Sequence, residues 1–144
     1  IGVAGYPEKH FTAPNLKTDL KWLKNKVDLG ADYIVTQMFF DNQKYFDFVD
    51  KCRKAGINVP IIPGIKPLDS KRQLELLPKM FYIDLPDDLV DEVEKCKTDK
   101  DVKEVGIKWA IQQSLELKKA GTPCLHYYTM SKSASTIAIA KEVF

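Results

Sequence analysis

Gln37 sits inside YIVTQMFFDN, residues 33–42, an almost unbroken apolar run. A buried amide without a partner costs about 1–3 kcal/mol, so a glutamine there needs a reason. An amide both donates and accepts, so a ligand can satisfy it. A neighbouring loop can do so equally well, and the pattern leaves both readings open. Other groups capable of chemistry fall where an apolar run stops. Tyr6, Glu8 and His10 follow the first run. Ile65 and Lys66 end the third, with Gln73 further on, and Tyr127, Tyr128, Thr129 and Lys132 end the fourth. His10 reads as a base, a ligand contact or an exposed capping side chain. His126 reads as a buried histidine bonded to a backbone carbonyl. Asp19 and Lys26, seven apart, fall on one helix face, and by pattern alone they are solvated charges. Asp87, Asp88, Asp91 and Glu92 read as a solvent-facing helix start, not a metal site. No HExxH, GxSxG or P-loop pattern occurs.

The elements that must position these groups alternate regularly. Ile1 to Tyr6 reads as a short buried strand ending at Pro7. Asn15 can cap the next helix, whose Leu16, Leu20, Leu23 and Val27 form one apolar stripe closed by Gly30. The second strand is YIVTQMFF, in which Tyr33, Val35, Gln37 and Phe39 share a face by alternation. A helix with Tyr45, Phe48, Val49 and Cys52 on one side follows and ends at Gly56. The third strand, Val59 to Ile65, carries Pro60 and Pro63, each of which removes a ladder donor. A short helix from Ser70, an extra helix begun at Pro86 with acidic residues in its first turn, and a long helix closed by Gly121 come next. PCLHYYTM is the fourth strand and SASTIAIAKEVF the last helix. Strand and helix in alternation predict a parallel sheet with right-handed crossovers. That is either an open doubly wound sheet or part of a (β/α)₈ barrel. No G-x-G-x-x-G follows the first strand, which weakens the first alternative. In both, ligands gather at the carboxyl ends of the strands.

The 144 residues suit one domain, 1–144, and 44% hydrophobic with 29% charged residues is ordinary for a globular chain. A net charge of +2, without Lys/Arg clusters among aromatics, argues against a nucleic-acid partner. The apolar runs fall far short of the ~20 residues that cross a bilayer, so no membrane partner is expected. Cys52, Cys96 and Cys124 are odd in number and widely spaced; they read as reduced thiols, two on helices and one on a strand, in a cytoplasmic setting. The chain opens IGVAGY without Met, so the expectation is that it begins inside a longer protein.

The runs GYPEKH, DLKWLKNKVDLGAD, TQMFFD, VPIIPGIKP and LHYYTM, in this order, resemble the methylenetetrahydrofolate reductase family over the whole chain. The resemblance implies the carboxyl-terminal half of a (β/α)₈ barrel that binds FAD. NADH or NADPH would reduce the flavin and leave, and methylenetetrahydrofolate would then take its place and be reduced to methyltetrahydrofolate. It implies FAD contacts at Tyr6, His10, Ala13, Asp19 and Lys26, and substrate contacts at Gln37, Gln73 and Lys132. A homo-oligomer is expected from the same source. The sequence departs from the family pattern at HFTAPN, at Trp22 and Asn25, at Leu77, and at TMSK, where Lys132 stands in place of an arginine. Lysine does not replace arginine at a bidentate carboxylate site. The family's acid glutamate and flavin-side aspartate belong to strands outside this segment, so no catalytic acid is assigned, and Glu8 does not fill that role. The alternative is a non-catalytic half-barrel or interaction module whose open strand edges need a complementary half.

Overall fold

The computed structural model describes residues 1–144. Five short strands and six helices alternate: β1 (Gly2–Gly5), α1 (Leu16–Asp28), β2 (Tyr33–Thr36), α2 (Asn42–Lys54), β3 (Ile61–Ile62), β4 (Gly64–Ile65), α3 (Gln73–Phe81), α4 (Asp87–Lys95), α5 (Asp99–Lys119), β5 (His126–Tyr127) and α6 (Ala134–Val143). The expected third strand is thus two pieces separated by Pro63, which has no N–H to give a ladder. Its carbonyl still serves, accepting from His126 N at 3.0 Å, as the Pro60 carbonyl accepts from Ile34 N at 2.9 Å.

All pairings are parallel. β1 pairs with β2 (Gly2 opposite Tyr33, Gly5 opposite Thr36), β2 with β3 (Ile34 opposite Ile61), and β4 with β5 (Gly64 opposite His126). Strand order in space follows chain order, without the reversal that a doubly wound sheet requires.

Local chemistry sets the helix ends. The Asn15 side chain accepts from Thr18 N at 2.9 Å to start α1, and Gly30, at φ 108°, turns the chain away from its end. Thr98 and Asp101 form a capping box at α5, which the sequence reading did not anticipate. The Ser70 region is a turn, and α3 begins at Gln73, three residues later than expected.

Two apolar clusters result. The larger packs Leu23, Phe48, Cys52, Ala110, Leu117 and Ile139 from four helices against Ile34, Ile61 and Ile65 of the strands. The smaller lies toward the carboxyl ends and joins Met38, Phe40 and Leu68 to Leu77, Leu89, Val93 and Val102. Phe39 belongs to the first cluster and is fully buried with Phe48 and Ile34. It therefore does not share the face of Gln37: regular alternation stops when the strand ends at Thr36. The cysteines are free. Cys52 is buried in α2, Cys96 follows the last residue of α4, and Cys124 is exposed before β5 and not on a strand. Burial pushes the Cys52 thiol up to about 12. No helix is long and apolar enough to cross a membrane.

Gly106 lets α5 lie directly on the backbone after β4; a Cβ there would sit 2.2 Å from the Leu68 carbonyl oxygen and 2.7 Å from its nitrogen. Alanine would gain about 1 kcal/mol of helix propensity. Forcing two backbones apart costs about 1–3 kcal/mol or more, so the clash wins. Gly106→Ala is expected to lower Tm by about 3–8 °C, read by calorimetry or circular dichroism; an unchanged or raised Tm would mean that this contact is not made.

Candidate functional site

Thr36 ends β2 and organises the carboxyl rim. It is fully buried. Its Oγ1 accepts from Gly64 N at 2.9 Å, and its carbonyl accepts from the Tyr128 hydroxyl at 2.8 Å. Gly64 must be glycine for this approach, because a Cβ would meet the Thr36 carbonyl oxygen at 2.4 Å. The next residue, Gln37, donates its N–H to Gly5 O at 2.8 Å. Four strand ends, those of β1, β2, β4 and β5, are therefore tied at one level, and Gln37 is the first side chain beyond the tie.

Gln37 is half-buried, in a narrow cleft of about 10 Å³ shared with Tyr6, Glu8, Met38 and Tyr82. Its Oε1 accepts from Met38 N at 2.9 Å, while its Nε2 donates to no protein group. The amide is thus already satisfied on the acceptor side and open on the donor side. Tyr6 stands edge-on to His10 with ring centroids 4.5 Å apart. Burial, and then the Asp19 carboxylate, raise its phenol, and burial and Tyr6 raise that of Tyr128. Both are therefore neutral hydroxyls at physiological pH.

The loop after β1 is held from several sides. Lys9, at φ 78°, reaches its ammonium to the carbonyls of His10 (3.2 Å) and Ala13 (2.7 Å). His10 N donates to Asp19 Oδ2 at 2.9 Å, and His10 Nδ1 meets the Thr12 hydroxyl at 2.7 Å. Phe11 stacks on Tyr82 at 5.0 Å. Lys44 of α2 bonds both Glu8 and Asp84, the latter at 2.8 Å, and Asp84 N donates back to Glu8 at 3.2 Å. The pair acts differently on its two ends. Burial outweighs Lys44 at Glu8 and raises that carboxyl, whereas the two carboxylates outweigh burial at Lys44 and raise the ammonium. The asymmetry follows exposure: 12% for the Glu8 side chain against 28% for Lys44.

Tyr6 shares the cleft of Gln37, His10 packs on Tyr6 and bonds Asp19, and Ala13 is held in the same loop through Lys9. Gln73 opens α3, in the connection that follows β4; its Oε1 accepts from Asp69 N at 2.7 Å. Lys26 is exposed in the last turn of α1, and Lys132 is exposed in a turn where its N–H bonds Thr129 O at 2.8 Å. His126 corrects its reading as a buried residue. It is exposed and stands edge-on to Tyr128 at 4.7 Å, because its strand face is not covered by helices. Sequence reasoning missed the Glu8–Lys44–Asp84 contact and the Tyr128–Thr36 bond; a tyrosine one residue past a short strand was the only visible signal for the latter. A larger hollow of about 510 Å³ lies at the opposite end, before β3 and β5. Its one cationic side chain, Arg53, is already engaged by the carbonyls of Ile57 and Val59.

The family model for methylenetetrahydrofolate reductase matches residues 1–143. The chain belongs to the methylenetetrahydrofolate reductase family. It is 39% identical over 145 residues to a probable methylenetetrahydrofolate reductase (NADPH) of Caenorhabditis elegans, covering 99% of this chain and 22% of that protein. It is 38% identical over 149 residues to methylenetetrahydrofolate reductase (NADH) 1 of Arabidopsis thaliana, with 96% and 25% covered. It is 37% identical over 146 residues to 5,10-methylenetetrahydrofolate reductase of Escherichia coli, with 96% and 47% covered. The chain thus spans between a fifth and a half of these relatives. A solved structure of an uncharacterised Clostridium thermocellum protein, which binds two copies of 5-methyl-5,6,7,8-tetrahydrofolic acid, shares the fold at a TM-score of 0.67 and 20% identity, covering 98% of this chain and 51% of that one.

Glu8 allows a test of the rim's electrostatics. A carboxyl raised on folding confers stability that is complete at low pH and is lost as pH rises through the raised value. Removing the charge removes that loss. Glu8→Gln is expected to melt at or above the parent at neutral pH, and the two Tm curves should converge as pH falls below the ordinary carboxyl value of 4.5. A neutral-pH Tm clearly below the parent would refute this account of the pair.

Proposed function

We propose that residues 1–144 form the carboxyl-terminal half of the (β/α)₈ barrel of a flavin-dependent methylenetetrahydrofolate reductase. Several features support the half-barrel reading. Strands lie in space in chain order, and β1 and β5 each keep one unpaired edge where further strands would close the ring. The observation that carries the functional reading is Gln37, an amide with a free donor just past the end of β2, in a cleft it shares with the Tyr6 phenol, within a chain that matches this family throughout.

The residues assigned to FAD suit its parts. Asp19 Oδ1 is free to accept a ribose hydroxyl while Oδ2 holds the His10 loop. Lys26 has no acidic partner, and its charge suits a diphosphate. Seven residues along α1 separate the two by about 10 Å, a span suited to a dinucleotide tail. Tyr6 and His10 supply an aromatic edge beside Asp19. When bound, the flavin supplies the means to take a hydride from NADH or NADPH and pass it to the folate. Gln37 orients each guest in turn through its Nε2, and Gln73 and Lys132 act from the next loops. The cleft beside Gln37 is too small for either guest. Binding on this reading therefore requires the Phe11–Tyr82 stack to move, or the site to lie above it.

The full-length protein is expected to be yellow with bound flavin and to oxidise NAD(P)H with menadione. A colourless protein that cannot be reconstituted with FAD would defeat the reading. Gln37→Ala should retain flavin and lose about 10- to 100-fold in folate reduction, the worth of one hydrogen bond made at the reacting groups. Unchanged turnover would remove Gln37 from the site.

A further inference from the structure

Lys66 is 4% exposed, yet it carries an ammonium group. It stands at the carboxyl end of β4 and donates to the Pro67 carbonyl at 2.9 Å and to Asp69 Oδ2 at 3.1 Å. The other oxygen of Asp69 accepts from the Ser135 hydroxyl at 3.0 Å, in the first turn of α6. The Asp69 main-chain N–H donates to Gln73 Oε1 at 2.7 Å, at the start of α3. One aspartate thus joins a strand end and the first turns of two helices. Ser135 is 2% exposed and the Asp69 side chain 14%, so the network is held largely out of water. A buried pair of this kind is costly if broken and adds little net stability when intact, so its value lies in fixing geometry.

What it fixes is the polarity of Gln73. The Asp69 N–H holds the amide carbonyl on its own side, so the NH₂ is the group of Gln73 turned outward without a protein partner. We propose that Asp69 is a positioning residue for the site: locked between Lys66 and Ser135, it holds Gln73 as a hydrogen-bond donor toward the acceptor-bearing edge of the bound substrate, a carbonyl or carboxylate oxygen. The proposal rests on Gln73 lining the substrate site. Gln37 has the same polarity, its carbonyl taken by Met38 N–H. Both glutamines therefore present an NH₂ with no protein partner, while each carbonyl oxygen already accepts one backbone N–H.

A double-mutant cycle in the full-length, FAD-loaded enzyme tests this. Asp69→Asn removes the charge that pairs Lys66, and the KM for methylenetetrahydrofolate is expected to rise about tenfold, the equivalent of about 1.4 kcal/mol. In the Gln73→Ala background the same substitution should add less than twofold, because the side chain through which Asp69 acts is gone. An equal rise in both backgrounds would mean a merely structural role and would overturn the proposal. Should Asp69→Asn fail to fold, Ser135→Ala removes one bond and keeps the ion pair; about a threefold rise, again absent in the Gln73→Ala background, is expected, and no rise would overturn the proposal. Gln73→Glu keeps an oxygen for the Asp69 N–H and loses the donor. It should raise KM at least tenfold at unchanged Tm, and a KM equal to the parent's would overturn donor-only recognition. Absence of folate turnover in the parent enzyme would overturn the functional reading itself, whereas an active parent with additive effects overturns only the role of Asp69.

Discussion

The carboxyl rim of this sheet depends on how Thr36 is satisfied. A threonine hydroxyl buried at a strand end needs a partner, and so does the carbonyl beside it, since each would cost about 1–3 kcal/mol if left alone. Gly64 N–H and the Tyr128 hydroxyl supply those partners. The bonds bring β4 and β5 to the level of β2, and the bond from Gln37 N to Gly5 adds β1. The side chains beyond the tie are then delivered to one rim with little freedom. Gly64 shows how tight the joint is, because any Cβ there would overlap the Thr36 carbonyl.

Charges at the rim are held by contacts that reach across elements. Lys44 ties the loop after β1 to the connection between α3 and α4, and Lys66 ties the end of β4 to α3 and α6 through Asp69. Neither network adds much stability, since burial opposes the Coulomb gain at each. Burial even prevails at Glu8. Loops long enough to carry a ligand site have few apolar residues to anchor them, and such clasps supply the geometry that packing does not.

Helices were legible in the sequence because their determinants are local. The stripe of Leu20, Leu23 and Val27, the Asn15 cap and the acidic start after Pro86 each act within a turn or two. Parallel strand direction was legible from the alternation of strand and helix, but strand number was not, because Pro63 divides the expected third strand into two. Strand ends were not. Alternation placed Phe39 beside Gln37, but regular extension stops at Thr36, and Phe39 follows the larger apolar core. His126 was read as buried on the face opposite Tyr127, yet it is exposed on its face of β5. The site residues were placed through family motifs, and the structure adds what motifs do not carry: which half of each amide is already engaged. That depends on a backbone N–H four residues before Gln73 and one after Gln37, contacts that no residue type announces.

The uncovered face of the sheet bears on how this chain can exist. Gly2, Ala4 and Tyr33 are exposed on one side of β1 and β2, while Gly5 and Ile34 on the other side are buried under Phe48. A parallel sheet is ordinarily covered on both faces, because its connections pack helices there or its own closure fills the interior. Here the crossovers cover only one. On the open face the Tyr33 ring lies over Gly2, where a Cβ would meet it at 2.5 Å, and the outer edges of β1 and β5 present unpaired N–H and C=O groups. Both features are costs for an isolated unit, and closure of the ring by further strands would relieve both.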